Sequence, residues 1–461
     1  MHYIRLLSRP TVQDTQGRRH LKLVLSITTD LYDAYLSPKK PVELCVFGRP
    51  SLIESKPKAS DPFVDLTKGA HPKWTAGMRV LKLNLSLPPG MHIQEFSVRP
   101  VDEDLTLYDV GELFDGQRGL ILPVYAGFPG ARSECAPTGE HEIVYRSMSL
   151  SEDGSPFGIE EDLGESMARH IWDGGLAALS LFINYASLQD NGQFKKMSYI
   201  AELVRLCHPM NMVELGCGVG TLGIGIAQFL SEMDESYKGS QHRVLLTDLP
   251  DAAARANANI ARYRSRGAKG GDPERDTGVK FEALDWANGR RGAFGPELSR
   301  QAWDLVLVSD CTYNADTLPA LVETLDAIHA HSARLKEGWG APDRGTMVFL
   351  ATKPRHESEG VVFKMLEMNG WEILEMDTQA LPHLDQVPQA FEAYLLTKDP
   401  ESDDEVLAGE EDEDEDEDED QDEDEDMDDH NKDDKDDGDN VDDVDDENDT
   451  EHKPVGSGSY C

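Results

Sequence analysis

At residues 212–233 the chain reads MVELGCGVGTLGIGIAQFLSEM. A short apolar run ends at Leu215, glycines stand at 216, 218 and 220, and an Ala/Ile/Leu-rich segment follows. A strand that turns on glycines straight into a helix is committed to a parallel neighbour, because the helix returns the chain to the end of the sheet where it started. The pattern then repeats. RVLLTD (243–248) precedes the helix-forming PDAAARANANIARY, where Pro250 suits a first turn. VKFEAL (279–284) and WDLVLVSD (303–310) read as strands, and ADTLPALVETLDAIHAHSARL as a helix. TMVFLATK (346–353) reads as a strand, and EGVVFKMLEMNG as a helix ending at Gly370. WEILEM (371–376) and FEAYLLTK (391–398) have no helix of any length between them, which predicts a hairpin. The alternation predicts an α/β fold: a seven-stranded, mostly parallel sheet with one antiparallel strand and helices on both faces.

Upstream, ESMARHIWDGGLAALSLFINYASL reads as helical with an interruption near Gly174 and Gly175, and another helix is expected over about 194–206. Residues 1–140 have a different texture. LKLVLSITTDL, PVELCVF, MRVLKLNLSL and QEFSVRPV are short β-forming runs punctuated by Pro, Gly and Asp. They predict a separate β-rich domain, 1–140, with a structural or partner-docking role, ahead of an α/β domain, 141–398. The polar, Gly-rich stretches 264–278 and 288–301 read as surface insertions.

The net charge of −44 is not spread evenly. Residues 399–461 hold 35 acids against three lysines, leaving 53 acids and 41 bases in the rest. So strong a self-repulsion with so few apolar residues predicts a disordered acidic tail, which suits a solubilising role or a basic protein partner. A polyanion is a poor match for a phosphate backbone, so nucleic acid is not an expected partner. The six cysteines are scattered without a CxxC pair, which fits a reducing compartment and argues against a zinc site. No run reaches the roughly 18 apolar residues of a membrane span. The expectation is a soluble monomer of the cytoplasm, with the nucleus as a second compartment.

What the glycines hold is decided by Glu214. Gly218-Val-Gly220-Thr-Leu-Gly223 fits the dinucleotide pattern, but a lone match is weak. A carboxylate two residues before the first glycine repels a pyrophosphate. It favours a cation instead. S-adenosylmethionine carries an α-ammonium and a sulfonium and no phosphate, so E-x-G-x-G-x-G, with Gly216, Gly218 and Gly220 baring the backbone, suits it. Asp248 ends the second strand, where an acid can accept both ribose hydroxyls. Asp285 and Trp286 end the third, placed to accept from the adenine amino group and to pack on its ring. The fourth ends in SDCTY: Ser309 and Asp310 fall at the carboxyl edge of the sheet, with Tyr313 three residues on. Asp310 and Tyr313 are the candidate catalytic pair. Cys311 and Thr312 stand where base-methylating enzymes commonly carry two prolines, which lowers the odds of a nucleobase acceptor.

IWDGG (171–175), ELGCGVG (214–220), TDLP (247–250), LDW (284–286) and SDCTYN (309–314) occur in an order and spacing that resembles the family 16 seven-β-strand methyltransferases. Among these the calmodulin- and chaperone-modifying protein-lysine methyltransferases are similar over about 142–398. The resemblance implies a Rossmann-like methyltransferase sheet, S-adenosyl-L-methionine as cofactor, and a lysine-bearing protein as substrate. It implies that Trp172 caps the cofactor, that Ser309 contacts it by its backbone, and that Asp310 and Tyr313 place the acceptor. It assigns no role to Lys353 or Arg355. Cys217 is expected to be a small buried thiol.

Methyl transfer needs a neutral nucleophile about 3 Å from the methyl carbon. A free lysine, with a pKa of about 10.4, is protonated at neutral pH. Asp310 and Tyr313 are therefore expected to orient the amine while it loses a proton to water. Acceptors other than lysine (histidine, arginine, a small molecule) and a non-catalytic adaptor that keeps the fold stay open.

Overall fold

Seven strands make one sheet in the second half of the chain. Their order is Val279–Ala283, Arg243–Asp248, Asn211–Leu215, Leu305–Ser309, Met347–Thr352, Gln389–Lys398 and Trp371–Leu381. The first five are parallel. Gln389–Lys398 runs against both of its neighbours and forms a hairpin with Trp371–Leu381. From Asn211–Leu215 the chain steps outward twice, then crosses back to Leu305–Ser309 on the other side. The reversal point, where ligands settle in open α/β sheets, therefore lies between the tips at Leu215 and Ser309.

The computed structural model describes residues 1–51, 63–114, 121–128, 143–151, 156–162, 167–187, 197–206, 209–233, 242–267, 277–339, 345–355 and 360–398. The acidic segment 399–461 and most of the first insertion, 268–276, lie outside them. The second insertion folds into two short helices, Trp286–Gly289 and Pro296–Ser299. Helix Asp173–Ala186 begins at the glycine pair instead of being interrupted there, so Gly174 and Gly175 occupy its first turn.

The period of two along a strand settles which residues face the site. Met212 joins the core on one side of the sheet, and Val213 and Leu215 join the core on the other. Glu214 therefore shares the side of Met212, where helix Thr221–Met233 packs. Val244 and Leu246 face the same side, and so put Asp248 there; Leu305 and Leu307 do the same for Ser309.

The β-rich part extends further than expected. Ile143–Ser149 and Pro156–Asp162 pair with each other, and Ile143–Ser149 pairs with Val124–Gly127 in a seven-stranded sheet that also holds His92–Pro100 and Val42–Ser51. The expected boundary at 140 thus falls inside a sheet, and the β-rich part runs to Asp162, because a strand cannot leave its ladder without orphaning its backbone groups. A second, five-stranded sheet holds His2–Leu6, Arg18–Thr28 and Leu81–Ser86. Between the sheets lies a core that includes Leu25, Trp74 and Phe96.

Nor is this part a separate bead. Tyr3, Phe114, Met148 and Phe157 belong to the same buried cluster as Leu179, Met212, Phe349 and Phe391. The Phe114 and Phe391 rings stand 6.0 Å apart. Burying each such side chain contributes about 1.5–3 kcal/mol, so separating the halves is unfavourable. The described residues lie in one compact unit. Among the described residues, no helix is long and apolar enough to cross a membrane.

Candidate active site

The glycine turn leaves Leu215 with three left-handed residues: φ is +71° at Gly216, +54° at Gly218 and +85° at Gly220. A side chain at Gly216 would start 2.5 Å from Cys311 Sγ and 3.4 Å from the indole of Trp286. At Gly218 the nearest atoms are the carbonyl oxygens of Ala168 and His170, at 3.7 and 4.0 Å. The turn is therefore packed from below and roomy at Gly218, under the segment that leads to Trp172. Trp172 is half-buried and its extended backbone opens helix Asp173–Ala186.

Glu214 lies beneath this turn. It is 1% exposed, and its Oε2 accepts the Gly223 N–H at 2.9 Å. Burial pushes its pKa up to about 8, with the negative Asp248 adding to the effect and the Gly223 hydrogen bond opposing it. The acid holds the turn's shape by its bond to helix Thr221–Met233 and sets a proton-dependent charge beneath it.

Asp248 bridges the site's floor. Its Oδ2 accepts from Gly218 N at 2.7 Å and its Oδ1 from Leu249 N at 2.7 Å. A carboxylate offers about four acceptor positions, so two remain for a pair of hydroxyls. It does not cap the next helix, which starts at Ala253. Asp285 is exposed; its Oδ1 caps the turn at Ala287 N, 2.9 Å away. Trp286 is half-buried beside Gly216. The three strand tips thus present a carboxylate pair, an indole and a bare backbone along one edge. That set fits an adenosine with a cationic end: hydroxyl acceptors at Asp248, an aromatic face at Trp286, an acid below the glycines, and no basic side chain among these residues for a phosphate.

Ser309 ends its strand half-buried, and its carbonyl accepts from the Cys311 thiol at 3.2 Å. Cys217 and Cys311 are both buried thiols, with pKa values that burial pushes well above the ordinary value. Tyr313 is 60% exposed. Partial burial of its ring, with Cys311 and Asp248 after it, raises its pKa.

Asp310 differs from expectation. It takes a left-handed backbone, φ +53°, rare without glycine. Its Oδ2 accepts from Gly174 N at 3.0 Å and Arg355 Nη2 at 2.9 Å; its Oδ1 accepts from Arg355 Nη1 at 3.1 Å and Lys353 N at 3.3 Å. Four donors fill a carboxylate's four positions. In this structure the Asp310 carboxylate does not stand free beside the donor site: it ties the strand tip to helix Asp173–Ala186 and to the segment after Thr352. A side chain at Gly174 would start 2.2 Å from Asp310 Cγ, which explains the first glycine of IWDGG.

Sequence reasoning missed Lys353, Arg355, Asp30 and Asp173. Lys353 is buried, with Nζ 2.7 Å from Asp173 and 3.3 Å from Asp30. Arg355 Nη2 lies 2.9 Å from Asp30 Oδ2 as well as bonding Asp310. Tyr3 donates to Asp173 at 2.7 Å. Burial opposes both cations, and the carboxylates outweigh it, so the pKa values of Lys353 and Arg355 are raised. The pKa of Asp30 rises too, because burial and the neighbouring Asp173 outweigh the two cations it shares. The only signal was the basic pair at 353 and 355; Asp30 lies more than 300 residues away in sequence.

Residues 151–369 match a family model described as lysine methyltransferase. A UPF0665 family protein of Schizosaccharomyces pombe is 22% identical over 376 residues, covering 80% of this chain and 93% of its own. TYW2 of M. jannaschii in complex with AdoMet aligns at 13% identity and a TM-score of 0.29, over 61% of this chain and 94% of that one. P. horikoshii TYW2 in complex with MeSAdo aligns at 13% identity and a TM-score of 0.28, over 56% and 72%. The acid-led glycine turn, the acid at the second strand tip and the similarity of residues 151–369 to that family model agree on a methyltransferase that takes S-adenosylmethionine as its cofactor.

Proposed function

We propose that this chain is a protein N-methyltransferase acting on a lysine side chain of a folded protein. The observation that carries the reading is the open rim beside Ser309. Among the described residues, Tyr313 and Leu249, which follow the strand tips at Ser309 and Asp248, are more than half exposed. A small acceptor is ordinarily enclosed, with most of its surface buried. A long side chain offered by another protein needs only a rim it can cross.

When bound, S-adenosylmethionine supplies a methyl group on a positively charged sulfur. Asp248 would hold the ribose and Asp285 and Trp286 the adenine, with Trp172 capping the cofactor and Glu214 favouring its positive charge. The acceptor amine arrives protonated, and a neighbouring positive charge lowers its pKa. With Asp310 saturated by Arg355, Gly174 and Lys353, the proton leaves to water across the open rim. Tyr313 is the side chain left to steer the amine. A cytoplasmic site of action, extending to the nucleus, and a basic partner for the acidic segment belong to the same proposal.

The test is transfer of a labelled methyl group from S-adenosylmethionine into a lysate of cells lacking this chain, followed by mass spectrometry of the modified residue. Methyl-lysine is expected. Label in histidine, arginine or a small molecule overturns the lysine assignment. No label, together with no thermal stabilisation by saturating S-adenosylmethionine, identifies an adaptor instead.

A further inference from the structure

One turn of the β-rich part reaches the corner that holds Asp310. Between strand Arg18–Thr28 and the bridge at Tyr35, residues 29–34 fold back so that Asp30 is 1% exposed. Its Oδ2 is 2.9 Å from Arg355 Nη2, and the same nitrogen is 2.9 Å from Asp310 Oδ2. Its Oδ1 is 3.3 Å from Lys353 Nζ, and its Oδ2 accepts from Asp173 N at 3.4 Å. The turn is itself braced. Tyr32, with φ +63°, accepts from Arg5 Nη1 at 2.7 Å, lies under the Arg5 guanidinium at 3.7 Å, and sets its ring edge-on to His170 at 5.5 Å.

We infer that Asp30 is a positioning residue for methyl transfer: through the guanidinium it shares with Asp310, the β-rich part fixes the Ser309–Tyr313 turn that the acceptor must cross. A guanidinium is a planar fork whose donors are set at fixed angles. One edge of the fork meets Asp310 in two parallel hydrogen bonds, and Asp30 stops it from swinging. Asp310 holds a left-handed backbone, which persists only where its surroundings hold it there. The surroundings here are Gly174, Lys353 and Arg355, and Arg355 is oriented by a residue from the other half of the molecule. Tyr313, three residues on, inherits the direction that the Asp310 backbone sets. The proposed holders of the methyl donor Gly218, Asp248 and Trp286 are not among the partners named above for Asp30, Arg355 and Asp310, whereas Trp172 directly precedes Asp173 of this network, so transfer is expected to suffer more than donor binding. Transfer is sensitive to misplacement of the acceptor by about 1 Å, which costs about 100-fold.

The inference rests on the methyltransferase reading of the site, and the experiment keeps the two apart. Full-length wild type, Asp30→Asn, Arg355→Lys, Asp310→Asn and the double variant Asp30→Asn/Asp310→Asn are compared by S-adenosylmethionine binding in a calorimeter. Labelled-methyl transfer into a lysate lacking the chain, and the amide resonance of Gly174, which reports on Asp310 Oδ2, complete the comparison. Asp30→Asn and Arg355→Lys are expected to bind S-adenosylmethionine within about twofold of wild type, to lose about 10- to 100-fold in transfer, and to shift the Gly174 resonance. In the double variant the Asp30 substitution is expected to add nothing to the loss in transfer, whereas a purely structural residue adds its own effect. Should Asp30→Asn misfold, Arg355→Lys, which keeps the charge and loses the fork, decides alone. Normal transfer by Arg355→Lys and Asp30→Asn, with Asp310→Asn impaired, overturns the inference and leaves the proposed function standing. Wild type that binds the donor yet labels nothing overturns both.

Discussion

The carboxylate of Glu214 accepts the backbone N–H of Gly223 at 2.9 Å, with the glycine turn folded over the pair. A side chain at Gly223 would start 2.6 Å from that oxygen and 2.4 Å from Leu246, so the strand, the turn and the helix lock through one hydrogen bond. Because the acid is desolvated, its pKa is pushed up to about 8, and near neutral pH it holds a proton much of the time.

A cationic ligand above it favours the charged form, so binding releases a proton. Affinity for S-adenosylmethionine is expected to rise with pH from 6 to about 8 and level off above, where the free protein is already ionised. Glu214→Gln is expected to flatten that profile. Calorimetry across this range, in buffers of different ionisation enthalpy, reads both affinity and proton release; a flat wild-type profile sinks the idea. The sign for stability is opposite. The pKa of this group is raised on folding, so its contribution is full below the ordinary carboxylate range and is lost as pH rises toward 8.

The glycines should not be equivalent. Gly218→Ala meets nothing closer than 3.7 Å and carries only the left-handed penalty, about 1–2 kcal/mol, while its methyl group occupies the donor's place. It is expected to cut donor affinity at least tenfold with a small fall in Tm. Gly216→Ala, 2.5 Å from Cys311 Sγ, is expected to lower Tm more. Thermal melts with and without S-adenosylmethionine separate the two, and equal Tm losses refute the distinction.

Asp248→Asn removes the charge that accepts from Gly218 N and, in the proposed site, from a ribose. Hydrogen bonds to a charged group contribute about 1.5–3 kcal/mol each. A loss of at least tenfold in donor affinity is expected, with a moderate loss of Tm from the loosened turn. An unchanged Kd would remove Asp248 from the site.

Tyr313 and Asp310 should behave oppositely. Tyr313 is 60% exposed, so Tyr313→Phe is expected to leave Tm within a degree or two and slow transfer several-fold. Asp310→Ala leaves Arg355 short of a partner in a buried network, which is strongly destabilising, about 3–5 kcal/mol. A stable Asp310→Ala with normal turnover would show that neither the turn nor the pair matters.

Much of this protein is readable from its own letters, and the reason is locality. Strand 211–215, the glycine turn and helix 221–233 are contiguous, so periodicity and backbone freedom act within a few residues, and Glu214, Asp248, Asp285 and Trp286 share an edge because each ends a parallel strand. What the letters could not supply is anything set by pairing across distance. The strands at 143–162 belong to the upstream sheet only because partner backbones, from Val124 on, are there to receive them. Asp310 reads as a solitary acid beside a donor site until Arg355 arrives from the next strand, and Arg355 reads as a surface base until Asp30 arrives from the first 30 residues. A buried charge is tolerable only with an opposite charge against it, and which one it meets is decided when the two halves close over a common core.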